Sequence, residues 1–407
     1  MYDYGLSVLE QYGLNALSSG RVRGALLCRT ERGPVILREF HGSEKKLSMQ
    51  QKLLQKLKEQ GCHVDVYLEN REGALVSKDK DSIPYTAQVW FEGRECDTKS
   101  ETDILKSVRM LAEIHGRMQL PLEKDYTARN LKEEYIRHNQ EMRKIRRFIR
   151  KKGVSSPFEK DYLKSVEWFL EKGEKAVSML DETDYQTLRQ QSLEKGTVCH
   201  GEYNQHNVLI LGKNAAVTNF SHWNFDVQMA DLYRFMRKIL EKYSWDLHLA
   251  QKMLSAYDSV RPLSESEWQN LRVRFCYPEK YWKLANHYYT HNKAVISGKN
   301  VEKLHTMIRQ KKQWEDVIYK EYLCDTAEDV CGMNLEDALQ NEIECRKSSI
   351  NLCIGGTLLM GLMTPDEKTI DFIPVSKLAP VMDEIKKSDY INSVSYTHLT
   401  LPTTSRV

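Results

Sequence analysis

The segment 196–236, GTVCHGEYNQHNVLILGKNAAVTNFSHWNFDVQMADLYRFM, limits the possible folds of this chain more than any other stretch. His200, Glu202, Asn204, His206 and Asn207 crowd a short polar run that leads into the apolar Val208-Leu209-Ile210-Leu211. Gly212-Lys213-Asn214 supplies turn residues, and the chain resumes as Ala215-Ala216-Val217-Thr218, which reads as strand, turn, strand. A hairpin brings its two ends together, so the polar cluster before the first strand meets Asn219 and Ser221 after the second. From Asp226 onward the period changes, and Leu232, Phe235, Met236, Ile239 and Leu240 recur at helical spacing. Asp231 falls in the first turn of that helix, and Arg234, Arg237 and Lys238 lie on its other face. Loop, hairpin and buried helix in this order can present carboxylates and amides to a metal-bound phosphate.

The surroundings are those of a globular chain with few breakers. Its 407 residues are 41% hydrophobic and 29% charged, enough for two or three packed units. The 20 glycines and 10 prolines are few for that length and favour helices. A net charge of +3 does not argue for nucleic acid as a partner. Nine cysteines are scattered without a CxxC pair, which points to reduced thiols made in a cytosol. The N-terminus has no basic start before an apolar run, and so does not read as a signal peptide. The longest apolar run, 350–363, is interrupted by Asn351 and Gly355-Gly356 and is shorter than the roughly 20 residues of a membrane span, so none is expected.

Residues 1–92 read as a small sheet with one main helix. Strands are expected at 22–30, 33–40, 64–68, 74–77 and 85–91, and a helix at 44–60 with Leu47, Leu53, Leu54 and Leu57 facing inward. No Gly-x-Gly-x-x-Gly occurs; Gly20-Arg21-Val22-Arg23-Gly24 is a weak substitute for one. Helices are then expected at 100–118, 126–152, 161–180 and 184–193, and beyond the central stretch at 246–257, 264–274, 279–293 and 301–322. His115 reads as a helix-end packing residue more readily than as a ligand. The helix 126–152 carries Arg143, Lys144, Arg146, Arg147, Arg150, Lys151 and Lys152, either as a solvated face or as a docking surface for an acidic partner. Further on, a helix is expected at 334–347, an apolar strand or buried helix at 350–363, and a short strand at 369–374.

His200-Gly201-Glu202, Asn207, Val217-Thr218-Asn219-Phe220 and Asp231-Leu232 together resemble the catalytic segment of the protein-kinase-like fold in its aminoglycoside phosphotransferase and choline kinase branch. More closely, VCHGEYNQHNVLI and NFSHWNFDVQMADLYRFMRKILEKYSWD are similar to the CotS-type spore coat proteins of endospore-forming bacteria. The resemblance implies an α+β, two-lobed fold, with a small N-terminal antiparallel sheet lobe and a larger, mostly helical C-terminal lobe. Its expected boundaries are 1–92 for the nucleotide-lobe-like domain and 93–322 for the helical lobe. An extension of unknown role would follow at 323–392, and 393–407 resembles translated sequencing-adapter read-through and is set aside as a non-native tail.

The resemblance also assigns roles. Glu202 takes the place of the general-base Asp, His200 and Gly201 shape its turn, and Asp231 is either an ordinary helix cap or the acid that braces the catalytic loop. Asn207 and Asn219 take the two metal positions, with Asp226 as the nearest spare carboxylate. Arg38, in VILREF, takes the place of the strand lysine, and the acid that would pair with it is not identifiable; Glu44 qualifies by location alone. The family binds ATP with Mg²⁺. Here the base is lengthened by a methylene, a shift of about 1 Å that can cost on the order of a hundredfold in rate. A neutral amide at Asn219 also removes charge that would offset the cation. The expected protein is a spore coat component, made in the mother-cell cytoplasm and assembled with other coat proteins. In that reading it is a degenerate or weakly active phosphotransferase, with a small molecule or nucleotide as the ligand of its interlobe cleft. The alternative is an active small-molecule phosphotransferase of aminoglycoside or choline kinase type that uses Glu202 as base.

Overall fold

The computed structural model describes residues 6–290 and 298–319, together with the strands Asn351–Gly355, Leu359–Met363, Asp371–Pro374 and Ser393–Ser395. It divides into two compact units, Met1–Tyr243 with Lys252–Ile296 and Ser244–Gln251 with Ser297–Val407.

The first unit begins with an antiparallel sheet. Strands β1 (Ala16–Val22), β2 (Ala25–Thr30), β3 (Gly33–Glu39), β5 (Val76–Lys78) and β6 (Pro84–Val89) pair in the order β1-β2-β3-β6-β5. A strand is expected at 22–30, and no sequence pattern marks β1. Its residues, ALSSGRV, carry no apolar alternation because the strand lies at the sheet edge with both faces largely exposed. A 3₁₀ turn at Leu6–Tyr12 closes one face of the sheet, where Val8, Leu9, Tyr12 and Leu14 pack on Cys28, Val35, Leu37, Tyr85 and Ala87.

Helix α1 (Glu44–Glu59) is capped by Ser43, whose side chain accepts the Lys46 N–H. Leu47, Leu53, Leu54 and Leu57 are all buried, as their spacing predicts, and each contributes on the order of 2 kcal/mol by leaving water. Beyond α1 lies the two-residue strand β4 (His63–Val64), where a five-residue strand was expected. It pairs in parallel with β10 (Asn214–Val217), which is antiparallel to β9 (Val208–Leu211); β9 in turn pairs with β7 (Arg94–Glu95). This second sheet, ordered β4-β10-β9-β7, fastens the catalytic-like hairpin to the N-terminal part of the unit.

Helices α2 (Glu101–His115), α3 (Leu131–Lys152), α4 (Pro157–Glu182), α5 (Tyr185–Glu194), α6 (Met229–Leu240), α7 (Leu247–Asp258), α8 (Glu265–Cys276) and α9 (Glu279–Thr290) match the expected helices, except that α3 begins after its cap Asn130, later than the expected 126, and α4 after its cap Ser156, before the expected 161; residues 291–293 lie outside the described residues. The helix of the central stretch starts at Met229, three residues after Asp226, because Asn224–Phe225 forms a strand, β11, against β8 (Val198–Cys199). In the helical core Tyr135 stacks on Tyr277 at 3.6 Å and His138 on Trp282 at 3.3 Å between ring centroids. The basic residues of α3 find acids on α4: Arg143 pairs with Glu174, Arg146 and Arg150 with Glu167, and Lys152 with Glu159. Much of that charge run therefore lies along a packed helix pair. Cys28, Cys62, Cys96, Cys199 and Cys276 are buried and form no disulfide among the described residues.

In the second unit the expected helix 301–322 is two helices, α10 (Gly298–Arg309) and α11 (Lys311–Tyr319), and residues 320–322 lie outside the described residues. The apolar run 350–363 is an antiparallel pair, β12 (Asn351–Gly355) and β13 (Leu359–Met363), joined by β14 (Asp371–Pro374) and β15 (Ser393–Ser395) in the order β14-β13-β12-β15. The helix expected at 334–347 lies outside the described residues. Among the described residues no helix is long and apolar enough to cross a membrane.

Candidate functional site

The loop between β8 and β9 is held from below by one carboxylate. Asp231, in the first turn of α6, accepts the backbone N–H of His200 at 2.5 Å and of Gly201 at 2.9 Å. His115, at the end of α2, reaches the same carboxylate with Nε2 at 3.4 Å, and its Nδ1 lies 2.7 Å from the Tyr257 hydroxyl. Burial alone would raise the Asp231 pKa, but the hydrogen bond from His115 and the nearby charge of Arg234 hold the carboxyl below its usual range. Burial also pushes the His115 imidazole down, which keeps it neutral. His115 is thus a packing residue, as expected, with a specific duty as a support for Asp231.

His200 ties the loop to the hairpin. Its Nδ1 accepts the Glu202 N–H at 3.2 Å, and Nε2 therefore donates to the Thr218 carbonyl at 3.0 Å. That is a neutral imidazole with both nitrogens used, and burial holds its pKa down. Gly201 adopts φ +80°, and a Cβ there would sit 1.9 Å from the His222 carbonyl oxygen, so no other residue fits this turn.

The groups on the open side are differently placed. Glu202 is half-exposed, with Oε2 at 3.4 Å from His222 Nε2. Its backbone carbonyl accepts the side-chain amides of Asn204 and Asn207, both at 2.9 Å. Asn207 Oδ1 in turn accepts Asn219 Nδ2 at 3.4 Å, so the two candidate metal ligands are joined to each other across the hairpin ends. Asn219 stands in the left-handed region at φ 65°, which asparagine tolerates, and its Oδ1 accepts the Ser221 hydroxyl at 2.9 Å.

The acid missing from the sequence reading is Asp65. Parallel pairing of β4 with β10 carries it beside Asn219, whose backbone N–H it accepts at 2.8 Å. Asp65 is fully buried, and its Oδ2 lies 3.5 Å from Arg38 Nη1. Arg38 also donates to Gln88 Oε1 at 2.6 Å and lies over the Trp90 ring at 5.4 Å, so its side chain is held from three sides. Glu44, by contrast, is exposed at the start of α1. Burial raises the Asp65 pKa to about 6 in spite of Arg38, and its Oδ1 has no hydrogen-bond partner among the described residues. The one signal in the sequence is an acid inside the apolar run His63-Val64-Asp65-Val66, where an unpaired charge is costly.

Asp226 is not brought to this group. It is buried with Arg274 of α8 as its ionic partner at 3.6 Å. Mg²⁺ prefers carboxylate oxygens and near-octahedral geometry. The donors facing one another here are two neutral amides, and the adjacent carboxylate of Asp65 is committed to Arg38 and a backbone N–H. Among the described residues no cluster of three or more His, Cys, Asp or Glu could hold a metal. The set does not fit the ion.

The sequence model of a family described as "Spore coat putative kinase YutH" matches residues 6–320. Spore coat protein S of Bacillus subtilis (strain 168) is 24% identical over 163 residues, 40% of this chain and 41% of that protein, so the match spans less than half of the relative's length. Among solved structures, an aminoglycoside phosphotransferase from Alicyclobacillus acidocaldarius superposes with a TM-score of 0.69 at 15% identity, over 76% of this chain and 92% of that one. Amicoumacin kinase hAmiN, in complex with AMP-PNP, Ca²⁺ and Ami, gives 0.50 at 12% identity, over 79% and 96%. At such identities the likeness shows the fold, which is the two-lobed kinase-like architecture expected from the sequence.

Proposed function

The chain belongs to the YutH family of kinase-like spore coat proteins, and from that membership we propose that its cleft serves binding in coat assembly in place of metal-dependent phosphoryl transfer. The observation that carries this reading is the amide pair Asn207–Asn219, standing where two metal ligands would converge. Phosphoryl transfer depends almost wholly on positioned charge, and this pair supplies none. Arg38 is the cation at the place of the strand lysine, and its charge is offset by Asp65. The braces below the loop are complete, so the scaffold is kept while the chemistry groups are altered. In this reading the protein is made in the mother-cell cytoplasm, and other coat proteins are its partners. A small molecule or nucleotide is the ligand of the cleft.

The rival reading, an active small-molecule phosphotransferase, draws on the half-exposed Glu202 beside His222. There Glu202 would take the proton of an acceptor hydroxyl. Calorimetric titration of the full chain with ATP, with and without Mg²⁺ or Mn²⁺, separates the two. The binding reading expects no metal-dependent heat at millimolar nucleotide. Metal-dependent binding, together with turnover lost in Glu202→Gln, would overturn it.

A further inference from the structure

The turn joining β1 to β2 is Arg23-Gly24, with φ 49° and 77°. Both residues are left-handed, as a two-residue hairpin turn of this hand demands, and such turns favour Asn-Gly. Arginine is a strained choice for the first position, so its side chain is where a reason should be sought. Arg23 donates from Nε to Glu95 Oε1 at 2.7 Å and from Nη2 to Glu95 Oε2 at 2.8 Å, a two-pronged fork on one carboxylate. The same Nη2 lies 2.6 Å from His206 Nδ1, which is 2.7 Å from Glu95 Oε2.

These three side chains come from three separate parts of the unit. Arg23 is the tip of the edge hairpin, Glu95 ends β7, and His206 precedes Asn207 in the loop that carries the candidate site. β1 is exposed along its length and, among the described strands, pairs with β2. Burial alone would raise the Glu95 pKa, but Arg23 and His206 outweigh it and hold the carboxyl below its usual range.

We propose that Arg23 is a clasp, fastening the β1–β2 hairpin through Glu95 and His206 onto the loop that carries Asn207. The side chains are about half exposed, so water competes for every bond and the clasp can open. A ligand bound at Asn207 would bias the clasp, because His206 is its neighbour in the same loop. This last consequence rests on the cleft being the binding site; the clasp itself does not.

Arg23→Asn separates clasp from turn, because Asn-Gly is the better turn and cannot make the fork. Hydrogen exchange of the full chain, read by mass spectrometry without nucleotide, would follow peptides covering 16–30 and 203–211 in the wild type, Arg23→Asn, Glu95→Gln and the double variant. We expect each single variant to speed exchange in both peptides by about two- to fivefold, the scale of an exposed ion pair. The double variant should go no further than either alone, and peptides from α3 should stay unchanged. Wild-type rates at 203–211 in either single variant would overturn the proposal, whatever the hairpin does, because Arg23 would then be a turn residue only. So would additive effects in the double variant. Neither result touches the reading of the amide pair.

Discussion

Two buried aspartates flank the β9–β10 hairpin, and they are treated in opposite ways. Asp231 receives two backbone N–H groups and His115, and its pKa is held down. Asp65 receives one backbone N–H and a longer contact from Arg38, has one oxygen without a hydrogen-bond partner among the described residues, and has its pKa raised to about 6. A buried carboxylate stabilises a fold when its oxygens are satisfied and burdens it when they are not. The loop's support is therefore built to hold its shape, whereas the side of the hairpin beside Asn219 carries charge that its surroundings do not fully meet.

The contrast can be broken most sharply at Asp231. Asp231→Ala strips acceptors from His200, Gly201 and His115 at once, and should cost about 3–5 kcal/mol in urea unfolding. Gly201→Ala should rank next, at about 2–3 kcal/mol, since the added Cβ meets the His222 carbonyl and φ is positive. Asp65→Asn should change stability by less than about 1 kcal/mol in either direction, because the carboxylate it removes is poorly compensated. A loss at Asp65 equal to that at Asp231 would dissolve the comparison.

Acidification sharpens it further. His138 is pushed down to about 4 by burial, and His115 and His200 are lowered from the same cause. Each binds its proton more readily when unfolded, so their contribution is whole above an ordinary imidazole pKa of about 6.5 and is lost as pH falls below it. For His138 the loss runs from about 6.5 down to about 4. Asp65 acts in the other direction, since its raised pKa makes the folded state take up a proton first as pH falls through about 6. Melting temperatures measured from pH 7.5 to 5 should fall, and should fall more steeply in Asp65→Asn. A parallel decline in the two proteins would show that Asp65 does not titrate in this range.

Much of this was readable in the sequence. The hairpin, α6 and the inward face of α1 announce themselves because strand and helix periods are local, and the order His200-Gly201-Glu202, Asn207, Asn219, Asp231 gave the family. β1 escaped because an edge strand exposed on both faces has no period to show. Asp65 escaped because its place depends on β4 pairing in parallel with β10, more than a hundred residues away in sequence, as its 154-residue separation from Asn219 makes plain. The cations of α3 looked free for the same reason, their acids lying on α4. Asp226, named as a spare ligand from its proximity in sequence, is spoken for by Arg274.

The neutral pair Asn207–Asn219 decides between binding and metal-dependent transfer, and the most direct measurement compares the thermal stability of the wild type and Asn219→Asp in ATP, with and without Mg²⁺. The variant places a carboxylate beside Asp65 and should be slightly less stable alone, by under about 1 kcal/mol, and regain that loss only with Mg²⁺ and nucleotide together. The wild type should show no shift that depends on Mg²⁺. A Mg²⁺-dependent shift in the wild type as large as in the variant would mean that two amides suffice for the ion, and would contradict the reading of this cleft as one adapted to binding without metal.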